Sequence, residues 1–282
     1  MAPTFIVVPQ WQGSVSPRAM RLVDGAEAIR GDLPASATEL VDVPVEAGDA
    51  MDTGIHRLST ILMVRERQAA LLRITTDWAL TVGGDCGVSL AAVEHAARRH
   101  PQNIALVWFD AHPRLHLAET SPSGGFCGMV LRAITGEGRP ELLLSPDSSV
   151  PLSHIVLAGT RDSDPAEDDL IASSAITELA VDELAADGSA QPEGLLAAVR
   201  ATGASQVYLH IGLDVLDPAA LAGLAELVPF GLSIEDLTGL ITALRGEFEL
   251  AGATIAGFAP ATVEAANDDM PSLLRIIGAL TR

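Results

Sequence analysis

The chain reads as an α/β domain built on a doubly wound, mainly parallel sheet, and three observations point there. Short apolar runs alternate with amphipathic helical stretches from end to end, which is the pattern of successive βα units. Several runs are apolar at consecutive positions, as strands covered on both faces must be. The residues with evident chemistry also cluster just after strands, where open α/β sheets bind their ligands. At 282 residues, 48% hydrophobic and 19% charged, the chain suits one such domain over 1–282 with a continuous core.

The elements follow in order. Thr4–Val8 is the first strand; the preceding residues lack the basic start of a signal peptide. Pro17 opens a helix over 17–29, a strand follows at 39–45, and a helix covers 57–74. A strand at 78–82 leads into a helix over 87–99. The strand Ile104–Phe109 precedes a helix at 126–134 and a Gly/Pro/Ser-rich surface loop at 136–151. A strand at 154–158 leads through Arg161-Asp162 and Asp164, a helix-entry residue, to the helix Pro165–Ser173. The helix Pro192–Ala201, a strand at 206–211 and a weakly patterned connection over 214–230 come next. Ser233 opens a helix over 233–244. A strand at 252–258 and a helix at 271–280 close the chain, with Asp268-Asp269 as the turn before Pro271.

Composition excludes several classes of function. No run of about 18 apolar residues is present, so no membrane span is expected. A net charge of −20 repels nucleic acid and anionic membrane alike. Two cysteines, Cys86 and Cys127, make no disulfide framework, and a cytoplasmic location is the natural reading.

Four segments carry chemistry. They are Gly83-Gly84-Asp85-Cys86, Asp110-Ala111-His112, Ser121 to Met129 with Cys127 near its end, and His210-Ile211-Gly212-Leu213-Asp214-Val215-Leu216-Asp217-Pro218. A strand that delivers Asp110 and His112 two residues apart puts both side chains on one side of the backbone, a geometry suited to a divalent metal. Two residues further on, Arg114 stands where such a site would want another oxygen. Its guanidinium stays protonated. Turned inward, it would place a fixed positive charge beside Asp110 and Asp214 and serve as their counter-ion instead of a metal. Turned outward, it would reach solvent along the surface. His210, at a strand end just before Gly212, reads as a core residue or as one supporting the site from behind. His56, His95, His100 and His154 read as surface residues.

The order and spacing of these segments resemble the ureohydrolase family of arginases and agmatinases. There the pattern is Gly-Gly-Asp-His, Asp-Ala-His-x-Asp, Ser-Gly-x-x-His-Gly-Met, Asp-x-Asp-x-x-Asp-Pro and a late Glu before a Pro. The resemblance runs from about Gly83 to Pro260. It implies a three-layer αβα sandwich, self-association, and two manganese ions that generate a hydroxide to attack a guanidino carbon.

Carried over position by position, the resemblance implies remnant metal ligands at Asp110, His112 and Asp214 and departures elsewhere. Cys86 stands for a ligand His, Arg114 and Gly212 for ligand Asp residues, Gly257 for the substrate-binding Glu, and Cys127 for a proton-transfer His. The chain is therefore expected to bind no metal or one divalent ion, not a manganese pair. Cys86, Asp110, His112 and Asp214 would suit a single zinc by their mixed donors, or a single manganese. The expected function is that of a ureohydrolase-fold protein without arginase or agmatinase activity, either a pseudoenzyme or a repurposed small-molecule site. One alternative is a one-metal hydrolase of a C–N bond in a guanidino or amide-like molecule. Another is a metal-free catalyst that pairs the Cys127 thiol with the His116 imidazole.

Overall fold

Residues along strand Ile104–Phe109 face two different cores in turn: Ala105, Val107 and Phe109 join one apolar cluster, and Ile104, Leu106 and Trp108 join another. A strand buried on both faces needs helices above and below it, and the computed structural model, which describes residues 3–282, has that architecture. Its strands are β1 (Thr4–Val8), β2 (Thr38–Leu40), β3 (Ala79–Gly83), β4 (Ile104–Phe109), β5 (Ile155–Ala158), β6 (Thr177–Leu179), β7 (Ala185–Ala186), β8 (Ser189–Ala190), β9 (Gln206–Gly212) and β10 (Glu249–Ala256). The helices are α1 (Arg21–Asp32), α2 (Leu58–Arg73), α3 (Ser89–Arg99), α4 (Val130–Ile134), α5 (Pro165–Ser173), α6 (Val181–Leu184), α7 (Pro192–Ala201), α8 (Ile234–Glu247) and α9 (Val263–Thr281). Eight strands form a parallel sheet in the order β2-β1-β3-β10-β9-β4-β5-β6, and β7 and β8 make a small antiparallel pair. Residues of α1, α7, α8 and α9 pack one face, and residues of α2, α3 and α4 the other. The αβα layering is as expected. Among the described residues no helix is long and apolar enough to cross a membrane.

Several boundaries differ from the sequence-based expectations, each for a local reason. The second strand stops at Leu40, short of 45: it is an edge strand, and Pro44 has no N–H to extend it. The three-residue β6 at the opposite edge is too short to leave a pattern. β10 starts at Glu249, earlier than 252, with an irregular step between Leu250 and Gly252. The helices expected at 87–99 and 126–134 open with 3₁₀ turns at Cys86–Val88 and Phe126–Met129. The last helix begins at Val263, not 271, because the Thr262 hydroxyl accepts the Ala265 N–H and caps it; Pro271 lies inside. Asp268-Asp269 is thus helical, not a turn, and buried Asp269 accepts the N–H groups of Ala222 and Gly223. In the 136–151 segment Leu142, Leu144 and Val150 are buried, so it is more than a surface loop. His95 is also half-buried, and burial first, then the charges of Arg99 and Arg98, lower its pKa to about 4.

Candidate functional site

Four neighbouring strands, β3, β10, β9 and β4, bring their carboxyl ends to one crevice. β3 leads to Asp85 and Cys86, β4 to Asp110, His112 and Arg114, β9 to Gly212 and Asp214, and β10 to Gly257. Strands β4 and β9 are directly paired, so the residues that follow them meet. Asp85 is fixed from three directions: it accepts from Gln10 Nε2 (2.9 Å), Gly13 N (2.8 Å) and Gly87 N (2.8 Å).

Arg114 turns inward and is 6% exposed. Its Nε donates to both Asp110 oxygens (3.1 and 3.0 Å), and its Nη2 donates to Asp214 Oδ2 (2.7 Å) and Glu226 Oε2 (2.8 Å). One guanidinium thus ties three carboxylates together. The backbone at Arg114 has φ +58°, a left-handed conformation that costs a non-glycine residue roughly 1–2 kcal/mol. The ion pairs, and the Arg114 carbonyl accepting the N–H groups of Leu131 and Arg132, hold it there.

His112 joins the same group. Its Nδ1 lies 2.9 Å from Asp214 Oδ2 and 3.4 Å from Asp110 Oδ1, and its Nε2 lies 3.4 Å from Asp162 Oδ2. Burial and the Arg114 charge oppose its imidazolium, yet hydrogen bonds to Asp110 and Asp214 raise its pKa to about 10. Burial pushes Asp110 up as well, but Arg114 above all, with His112 and His210, holds it well below the ordinary range. Asp214 is raised, by burial and by the nearby Asp110 charge. Arg114 lowers Glu226.

Gly212 has an ordinary φ of −71° and is required by space, not by backbone. A Cβ there would lie 2.6 Å from Asp110 Oδ2 and 3.0 Å from Asp214 Oδ1. Any side chain at 212 would enter the gap between the two aspartates. Gly257 has φ +94°, a conformation open to glycine, and its N–H donates to the Gly84 carbonyl at 2.9 Å.

A second group shares Asp110. Cys86 Sγ is 3.7 Å and His210 Nε2 3.6 Å from Asp110 Oδ2, and the three donor atoms lie within 4.8 Å of one another. The neighbouring Cys127 thiol and burial raise the Cys86 thiol well above the ordinary thiol range. His210 is buried, stacks on Trp108 at 3.5 Å between centroids, and shares a 2.8 Å hydrogen bond between Nδ1 and Ser89 Oγ.

The four residues expected to form one mixed site are thus divided: Asp110, His112 and Asp214 converge, and Asp110, Cys86 and His210 converge separately. The anticipated pairing of His116 with Cys127 is replaced by other contacts. His116 Nε2 faces Asp164 Oδ2 (3.0 Å) and Glu167 Oε2 (3.5 Å), while its Nδ1 lies 3.3 Å from Thr120 Oγ1. Glu167 Oε1 also accepts the Leu115 N–H, which ties the loop after β4 to α5. Arg161 donates to the carbonyls of Gly159, Asp214 and Val228 and braces the loop after β9.

Sequence reasoning missed Glu226, an acid in a connection with no periodicity. His210, read from the sequence as a core residue or one behind the site, is buried in agreement with that reading; alternation along β9 puts positions 210 and 212 on one face. The room left is small. The cavity bounded by Cys86, Arg114, Cys127, Gly212, Asp214 and Glu226 holds about 20 Å³, space for about one water. A broader groove of about 530 Å³ lies outside it, lined by Arg18, His112, Asp162 and Glu226 among others.

Comparisons with known proteins agree on one family. The family model described as "Arginase family" matches residues 14–272. An arginase of Staphylococcus aureus (strain MRSA252) is 28% identical over 211 residues, covering 73% of this chain and 68% of its own length. The solved arginase of Entamoeba histolytica, in complex with L-ornithine, superposes with a TM-score of 0.83 at 20% identity over 99% of both chains. Formimidoylglutamase of Bacillus subtilis superposes with a TM-score of 0.70 at 19% identity, over 99% of this chain and 86% of its own.

Proposed function

The chain belongs to the arginase family, and from that premise we propose that it has lost the two-manganese amidinohydrolase centre and keeps the fold as a non-catalytic or repurposed small-molecule binder. We read 1–282 as one arginase-like domain that self-associates, as the resemblance implies, and place it in the cytoplasm on its cysteine usage. The observation that carries this reading is the Arg114 guanidinium bonded to Asp110, Asp214 and Glu226 at once. Two buried aspartates need positive charge nearby or one of them takes a proton; Arg114 supplies that charge without a metal.

The residues present do not fit a manganese pair. Two adjacent dications need bridging carboxylates to offset their repulsion, and the positions that would supply them hold Arg114 and Gly212. Filling position 212 would push a side chain against Asp110 and Asp214 as they now stand. Cys86 offers a soft thiol where a hard or imidazole donor would suit manganese. The remaining room, about 20 Å³, is too small for a guanidino substrate beside a nucleophile. Ligands of the repurposed site would instead sit in the outer groove, against Arg18, His112, Asp162 and Glu226.

One observation favours a second reading, hydrolysis of a C–N bond with a single ion: Asp110, His112 and Asp214 still converge. That reading requires Arg114 to leave Asp214. The two are separated by assaying urea or amine release from arginine, agmatine and formimidoyl compounds with manganese, zinc, cobalt or nickel. The first reading expects no metal-dependent turnover. Turnover abolished by Asp110→Asn would replace it with the second.

A further inference from the structure

Outside the Arg114 network, His116 and two acids at the start of α5 converge. His116 Nε2 stands 3.0 Å from Asp164 Oδ2 and 3.5 Å from Glu167 Oε2, and the three donor atoms lie within 4.8 Å of one another. His116 and Glu167 are buried, at 8% and 5% exposure, while Asp164 is partly open to solvent. Each carboxylate commits one oxygen to the backbone. Asp164 Oδ1 accepts the N–H groups of Ala166 and Glu167 (2.9 and 3.2 Å), and Glu167 Oε1 accepts that of Leu115 (2.8 Å). Among the described residues, the other two oxygens meet no donor besides His116.

At 3.5 Å the Glu167 contact is beyond hydrogen-bond range, so the inner oxygen of a buried carboxylate is left without a bond, which calls for an explanation. Burial first, and the charge of Asp164, raise the Glu167 pKa against the bond from Leu115 and the charge of His116. A shared cation answers both points. Around a tetrahedral zinc with bonds of roughly 2.0–2.2 Å to nitrogen and oxygen, donors face each other at about 3.4 Å, between the two separations found here. We infer that His116, Asp164 and Glu167 form a mononuclear zinc site that fastens the loop after β4 to α5. Three protein donors leave the fourth position to water or to an anionic group of a ligand. The site goes beyond the reading above and shares no residue with the remnant manganese positions.

The imidazole is oriented for the task. Thr120 Oγ1 donates to the Leu117 carbonyl (3.4 Å) and lies 3.3 Å from His116 Nδ1. It therefore accepts from Nδ1–H, the tautomer that leaves the Nε2 lone pair free for a metal. The His116 N–H donates to the Gly128 carbonyl at 2.9 Å and fixes the residue from its backbone. Charge balances as well, since two carboxylates neutralise the dication around a neutral imidazole. The positive end of α5 opposes a cation, and Asp164 Oδ1 offsets it by capping the first turn. One imidazole with two carboxylates suits zinc, which such donors bind more tightly than manganese.

The test uses the full chain, stripped of metal with a chelator and titrated with zinc, and with cobalt as a spectroscopic probe. One zinc per chain is expected, and the cobalt form should show visible d–d bands without thiolate charge-transfer absorption. His116→Gln and Asp164→Asn, the latter keeping the helix cap, should each weaken zinc binding by more than about 100-fold, and Thr120→Val by about 10- to 100-fold. Asp214→Asn should bind zinc as the wild type does. All variants are checked for folding by circular dichroism. Folded wild-type protein that takes up neither zinc nor cobalt overturns the site, as do thiolate bands or unchanged binding in His116→Gln. Zinc lost in Asp214→Asn but kept in His116→Gln would also overturn it, and would support the one-ion reading at Asp110, His112 and Asp214. Refusal of both zinc and manganese by the wild type ends this site and leaves the reading that rests on Arg114 standing.

Discussion

The two sides of Asp110 solve opposite problems. Toward Asp214, positive groups meet negative ones at bonding distance: Arg114 contacts Asp110, Asp214 and Glu226 between 2.7 and 3.1 Å, and His112 lies 2.9 Å from Asp214. Toward Cys86 and His210 the separations are 3.7 and 3.6 Å, and the buried His210 Nε2 has no hydrogen-bond partner among the described residues. One side is closed by a permanent internal cation; the other has its donors arranged around a gap. The difference teaches how differently one carboxylate can be served on its two sides. A guanidinium can assume the electrostatic task of a metal ion but not its Lewis acidity, so under the proposed reading the fold would be retained without the chemistry.

The largest expected effect comes from the closed side. Arg114→Met keeps the bulk and removes the charge, which leaves two buried aspartates facing each other. Breaking a buried ion network from one partner costs about 3–5 kcal/mol, to be read from urea unfolding midpoints at neutral pH. A loss below about 1 kcal/mol would mean that Arg114 is not the counter-ion of the site.

A smaller but more diagnostic effect is expected at Gly212. Gly212→Asp alone forces a carboxylate against Asp110 and Asp214 and should cost about 2–3 kcal/mol by overpacking and like-charge contact. Adding Arg114→Asp to it removes the blocking cation and restores two ligand positions. Manganese should then raise the melting temperature of the double variant and leave that of the wild type unchanged. Equal responses in both proteins would break the contrast between the two sides.

The smallest effect concerns acid stability. Arg114 lowers Glu226 below its ordinary 4.5. A carboxylate lowered on folding contributes stability above its unfolded pKa and loses it as the pH falls through the folded value. The wild type should therefore lose stability below about pH 4.5 more steeply than Glu226→Gln. Asp214, raised on folding, acts in the opposite sense, but it is common to both proteins. Because Glu226 is about a third exposed, the difference should be of order 1 kcal/mol, measured by thermal melts between pH 3 and 6. Parallel curves would remove Glu226 from the network.

Much of this was legible in the sequence because it followed from patterns. Thr4–Val8 and Ile104–Phe109 announced themselves as runs buried on both faces, and Pro165–Ser173 and Pro192–Ala201 by proline at the first turn. The chemistry of Asp110, His112, Arg114 and Asp214 was readable from spacing, since strand alternation and the parallel sheet fix where such residues end up. The direction of Arg114 was not readable: besides the nearby Asp110, its φ of +58° depends on contacts with Leu131, Arg132, Asp214 and Glu226, which lie farther along the chain. Glu226 was hidden for the same reason, being placed by a loop that Arg161 and Asp217 brace through backbone groups. The start of α9 was misjudged because Pro271 signals a helix entry more loudly than Thr262, although the threonine makes the cap.

Manganese stoichiometry tests most directly whether Arg114 stands in place of the metal pair. The wild-type chain, incubated with excess manganese and then desalted, should retain well under one manganese per polypeptide by elemental analysis. Two manganese ions per polypeptide would contradict it.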